Sequence, residues 1–196
     1  KMERQRTMEG KIAIHQPEHF PYMGFFEKME EADTFVILDD VQYKKNNWQN
    51  RNKFLNKNGV EEFFNVQVEK GSTKKLINEV KVVDGKWREK VVKKLKQNFN
   101  IDTSNIYSYN KLIDINMASI VWARKKLNIN TPMILSSNLS IETKSTQRLV
   151  DICHQVGATE YISGIGGKSY LDENLFECRV SYLKPKCKNY YSIIYN

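Results

Sequence analysis

Four short stretches of this 196-residue chain carry side chains able to do chemistry together: His15-Gln16-Pro17, Asp39-Asp40-Val41-Gln42, Trp48-Gln49-Asn50-Arg51 and Ser163-Gly164-Ile165-Gly166-Gly167-Lys168-Ser169. A histidine moves protons near neutral pH. Paired carboxylates take a proton or hold Mg²⁺. Amides and an arginine orient hydroxyls and grip planar anions bidentately. A glycine-rich turn with Lys168 and Ser169 permits close backbone approach to a phosphate. Together these suit group transfer on a phosphorylated substrate, with His15, Asp39 and Asp40 as catalytic candidates. Gln16, Tyr22, Gln42, Trp48, Gln49, Asn50, Arg51, Ser163, Gly164, Gly166, Gly167, Lys168 and Ser169 are the candidate substrate contacts. Each signal also has a plain reading, as a satisfied strand-end histidine, a solvated acidic turn or a flexible glycine loop.

The elements that must position these residues are legible around them. Ile12-Ala13-Ile14 is a buried-strand run that ends at His15. Pro17 and Pro21 forbid an immediate helix. Helical spacing follows from Tyr22 to Ala32, with Tyr22, Phe25, Phe26 and Met29 on one face, and Thr34 to Leu38 is a second strand run ending at the aspartates. This is the size of a βαβ unit. Its two strands would be parallel, so His15 and Gln16 would leave on the same sheet edge as Asp39 and Asp40, the edge where open α/β sheets bind ligands.

Further on, Lys57-Asn58-Gly59 is a turn, 61–68 and 76–83 read as strands, and the segment between them, 69–75, is a basic hairpin-like loop. Helices are expected over 86–99, 112–127 and 143–156, the last stopped by Gly157, with strands at 132–135, 159–163 and 179–183. The alternation predicts an α/β fold, a three-layer sandwich around a largely parallel sheet. A histidine loop after the first strand and a Lys-Ser loop after a late one have the layout of nucleotidyltransferases. The late loop is not a Walker A motif, because Ile162 stands where its first glycine belongs.

Bulk composition narrows the partners. Lys and Arg number 31 against 23 Asp and Glu, a net charge of +8 that suits nucleotide-sugars, nucleic acid or an anionic membrane face, or serves only solubility. Three cysteines without metal spacing imply neither a disulfide framework nor a zinc site, and a reducing, cytoplasmic setting. Cys153 and His154 are adjacent on one helix, so their side chains diverge and form no dyad. No run approaches the roughly 18 apolar residues of a membrane span. Lys1 to Thr7 reads as an arm outside the ordered protein, with residues 8–196 as a single domain.

HQP, P-x-x-G-F-F, LDDVQ and W-Q-N-R-N, in this order, resemble the WbqC-like family of bacterial proteins. His15, Gln16, Pro17, Pro21, Gly24, Asp39, Asp40, Gln42, Trp48, Gln49, Asn50 and Arg51 match its pattern, and SGIGGKSYL and YYSIIYN extend the likeness to the chain end. The chain stops where the family's S-I-L-D aspartate would fall, so a truncated or diverged tail is expected. The resemblance implies surface-polysaccharide (O-antigen) biosynthesis and transfer of glycine, or a similar acyl group, onto the amine of a nucleotide-linked amino sugar. The donor would be an aminoacyl-tRNA or an acyl-adenylate made from ATP. Two alternatives remain open: metal-assisted nucleotidyl or phosphoryl transfer with ATP and Mg²⁺ at Asp39 and Asp40, and binding of a sugar nucleotide or RNA without turnover.

Overall fold

The computed structural model describes residues 10–195, and the arm expected before Met8 lies outside them. In chain order the elements are β1 (Gly10–His15), α1 (Met23–Glu30), β2 (Thr34–Ile37), β3 (Arg51–Leu55), β4 (Glu61–Asn65), α2 (Trp87–Phe99), α3 (Leu112–Lys126), β5 (Met133–Leu135), α4 (Ser145–Val156), β6 (Ala158–Gly164) and β7 (Arg179–Leu183). They fall into two compact units. One holds residues 10–15, 27–38 and 130–186, and the other holds 16–26, 39–129 and 187–195, so the division runs through α1.

The first unit is the α/β sandwich. Its sheet has five strands in the order β5-β2-β1-β6-β7, and every neighbouring pair is parallel. Ile12, Ala13 and Ile14 are all buried, as are all four residues of β2, because a parallel strand covered on both faces is apolar on both. On one face Ile12, Ile14, Val36 and Tyr161 pack with Ile152, Cys153 and Val156 of α4. On the other, Lys28 of α1 lies 5.9 Å from the Phe35 ring and its ammonium donates to the Ile14 carbonyl at 2.9 Å. Gly157 ends α4 at φ 71°, donating to the Cys153 and His154 carbonyls, a left-handed cap that favours glycine.

The second unit is built on the antiparallel β3–β4 hairpin with α2 and α3. Phe20, Phe54, Phe64 and Tyr107 are buried in it as one aromatic group, with ring centroids 5.9–6.4 Å apart for the Phe20–Phe64, Phe54–Phe64 and Phe20–Tyr107 pairs. The strand expected at 76–83 is instead a 3₁₀ turn, Ile77–Glu79, flanked by isolated bridges. Ile77 and Val80 are both buried at a spacing of three, the 3₁₀ repeat, and the Asn78 N–H finds a loop carbonyl, that of Asp39, at 3.0 Å. The basic loop at 71–75 likewise winds into a 3₁₀ turn, Ser72–Lys74, behind Gly71 at φ 80°. No helix among the described residues is long and apolar enough to cross a membrane.

Candidate functional site

The order of the five strands places a switch point in the first unit. From β1 the chain builds outward through β2 to β5, then returns to the other side of β1 for β6 and β7. Between β1 and β6 the two directions part, and open α/β sheets bind ligands in the crevice beyond the carboxyl ends of such strands. Ala13 pairs with Ile162, so His15 and Gly164 leave the sheet side by side, two residues later on each strand. His15 is half-buried and its carbonyl accepts the Leu38 N–H at 2.8 Å, which anchors its backbone to the chain leaving β2.

Directly after β6, Ile165–Ser169 forms a 3₁₀ turn. Ser169 Oγ donates to the Gly166 carbonyl at 2.9 Å, and the Tyr170 and Leu171 amides both donate to the Gly167 carbonyl. Lys168 is exposed, its ammonium 5.1 Å from the ring of Tyr182 on β7. Tyr182 Oη in turn donates to Glu173 at 2.7 Å, and that carboxylate raises the phenol to about 12. The sequence reading missed both Tyr182 and Glu173. Their signal was only an aromatic in the strand run RVSYL and an acid ahead of it. Gly167 is required by space: a Cβ there would stand 2.2 Å from Ser163 Oγ and 3.0 Å from Leu171 Cδ1. Gly167→Ala is therefore expected to shift the turn and cost about 1–3 kcal/mol, read as a lower urea midpoint.

The remaining candidates belong to the second unit. Gln49 is fully buried. Its amide donates to Gln16 Oε1 at 2.8 Å, its Oε1 accepts the Lys44 N–H at 2.9 Å, and its carbonyl accepts from Asn116 at 2.7 Å. Asn50 donates to the Val66 carbonyl at 3.2 Å, and the Trp48 carbonyl accepts the His19 N–H at 2.8 Å while the half-exposed indole reaches solvent. Trp48 and Gln49, through His19 and Gln16, thus brace the loop that follows His15, and Asn50 ties its own segment to Val66. Asn52 extends the brace, donating to the His19 and Phe20 carbonyls. Gln42 donates to the Thr73 carbonyl at 2.8 Å, and Tyr22 lies 5.3 Å from the exposed ring of Tyr190. Arg51 lies over Phe63 at 5.1 Å.

Asp39 is 1% exposed and its carboxylate accepts from Asn78 Nδ2 at 3.2 Å, while Asp40 is half-buried. Among the described residues no group of three or more His, Cys, Asp or Glu side chains is arranged to hold a metal ion.

Comparison with known proteins follows this geometry. An uncharacterized protein of Mycobacterium tuberculosis, Rv1507c, is 29% identical over 180 residues, covering 85% of this chain and 78% of that protein. No solved structure matches the chain. The pattern of the WbqC-like protein family matches residues 16–194, from the glutamine after His15 to within two residues of the end. With nearly its whole length inside that match, the chain belongs to the WbqC-like protein family.

Proposed function

We propose that this protein transfers an acyl group, glycyl or one of similar size, from an activated donor to the amine of a nucleotide-linked sugar during surface-polysaccharide assembly. The observation that carries the reading is that His15 and the chain entering the Gly166-Gly167-Lys168-Ser169 turn leave the sheet on adjacent strands at the β1/β6 switch point. In this reading Lys168 and the amides of the turn hold a nucleotide phosphate. The sugar amine attacks the acyl carbonyl, His15 takes the proton that the nitrogen sheds, and the donor's oxygen leaves with the electrons of the broken C–O bond. The acyl chemistry is what the resemblance to the WbqC-like family suggests.

A thermal-shift titration with nucleotide-linked amino sugars tests it. A sugar nucleotide present at about 100 times its Kd adds about 2.7 kcal/mol, roughly 5–10 °C in a chain of this length. Lys168→Ala is expected to remove most of that shift while leaving the unliganded melting temperature unchanged, since Lys168 is exposed. A full shift in Lys168→Ala, or no shift with any nucleotide-linked sugar, defeats the reading.

A further inference from the structure

The chain's positive charge is confined to one of its two units. Residues 16–26, 39–129 and 187–195 hold 20 lysines and arginines against 11 aspartates and glutamates, a net charge of +9. The described residues of the sandwich unit hold 8 against 10, a net charge of −2. The switch-point site therefore does not account for the basic character of the protein.

Within the basic unit the charge meets exposed aromatic rings on one sheet face. In the β3–β4 hairpin, Asn52, Phe54 and Phe64 point inward and are buried, so Arg51, Lys53 and Phe63 point outward. Phe63 is 39% exposed. The Arg51 guanidinium lies over Phe63, and its Nε is buried with no hydrogen-bond partner among the described residues. Along the free edge of β3, Ser192 donates to the Lys53 carbonyl at 2.9 Å, which brings the Tyr191 ring within 5.6 Å of the Lys53 ammonium. Tyr190 beside it is 64% exposed. Lys94 of α2 donates to the Phe63 carbonyl at 3.2 Å and pairs with the inward-facing Glu62, and Phe99 of α2 lies 4.9 Å from Phe54, so α2 packs on the inner side of the hairpin. On the outer face Lys53 pairs with Glu61, and no carboxylate among the described residues pairs with Arg51.

A sheet face that sets planar rings beside cations, in a unit of net charge +9, has the chemistry of a single-strand nucleic-acid platform. Rings stack on unpaired bases, and the cations follow the phosphates. We propose that the outer face of the β3–β4 hairpin, with Tyr191 beside it, binds single-stranded RNA. This goes beyond the transfer reaction, and affinity alone reads it. For that reaction it favours an RNA-borne acyl donor.

The test is fluorescence anisotropy of the whole chain with a labelled single-stranded oligoribonucleotide of about 12 residues, within the span such surfaces cover. Competitors are the same sequence as a duplex, heparin, and vesicles rich in anionic lipid. The single strand is expected to bind best, with log affinity falling against log salt by about 0.7 per phosphate contacted. Phe63→Leu and Tyr191→Leu keep the apolar bulk and remove the aromatic face. Each is expected to weaken binding about tenfold with the salt slope unchanged. Arg51→Gln with Lys53→Gln is expected to flatten the slope. Unaltered urea midpoints show that the variants are folded. Equal affinity for heparin and single-stranded RNA, full affinity in both leucine variants, or capture by vesicles without RNA binding would each overturn the proposal. Retained transfer activity in the leucine variants would leave it standing, because the two functions are measured apart.

Discussion

Replacing His15 by Gln is expected to lower turnover of acyl transfer by about 10²–10⁴-fold, the usual worth of a positioned general base. The folded protein is expected to be nearly unaffected. His15 closes β1, and the hydrogen bond that fixes it there runs from the Leu38 N–H to its main-chain carbonyl, which Gln keeps. The half-buried ring is not part of the fully buried core. Gln preserves a polar side chain of similar reach but cannot take a proton from an amine at neutral pH. KM for the sugar nucleotide should move little if Lys168 and the turn hold the phosphates as proposed. Asp39 is the rival base, but it is 1% exposed and its carboxylate already accepts from Asn78. Steady-state kinetics of both variants across pH decide between them: undiminished turnover in His15→Gln with a large loss in Asp39→Asn would reassign the base.

The sheet was legible where the sequence obeys one local rule at a time. Ile12-Ala13-Ile14 and Phe35-Val36-Ile37 are apolar because both faces are covered, and the strand at 179–183 coincides with its expected limits. The strand order was not legible. β1 pairs with β6 across more than a hundred residues, and nothing local encodes which later strand returns to the centre. The segment 76–83 misled because Leu-Ile-Asn-Glu-Val-Lys-Val-Val offers period-two alternation, whereas its buried residues Ile77 and Val80 are set by a 3₁₀ turn. β3 went unread for the opposite reason. Its inward Asn52 is polar, so Arg-Asn-Lys-Phe-Leu lacks the apolar alternation of a strand, and the asparagine is kept buried by the His19 and Phe20 carbonyls it satisfies. The site follows the same division. Residue types at the ends of β1 and β6 could be named from sequence. Whether an amide such as Gln49 faces a ligand or a neighbouring loop depends on burial, which only the fold determines.

Stability should fall as the solution is acidified below about pH 6.5, and His19 is the cause. This second histidine of the HQPEHF segment is fully buried. It packs against Phe20, Phe64 and Tyr107 at ring distances of 5.2–5.6 Å, with Nε2 2.9 Å from Tyr107 Oη. Burial penalises its charged form and lowers it from the usual 6.5 to about 3, and Asn116 beside it works the other way without offsetting this. Between those limits the unfolded chain binds a proton that the native chain refuses. The contribution to stability is therefore full above about pH 6.5 and is lost as pH falls towards 3, at about 1.4 kcal/mol per unit once well below 6.5. From pH 7 to pH 5 the wild type should lose about 2 kcal/mol on this account. His19→Gln can still bond Tyr107 Oη but does not titrate. It is expected to be less stable at pH 7 by roughly 1–3 kcal/mol, from poorer packing and an imperfectly satisfied amide, and to lose about 2 kcal/mol less than the wild type between pH 7 and pH 5. Urea unfolding of both proteins at the two pH values measures the difference directly. Equal acid sensitivity would mean that His19 is not held neutral in the native state, and would place the acid-labile contact elsewhere.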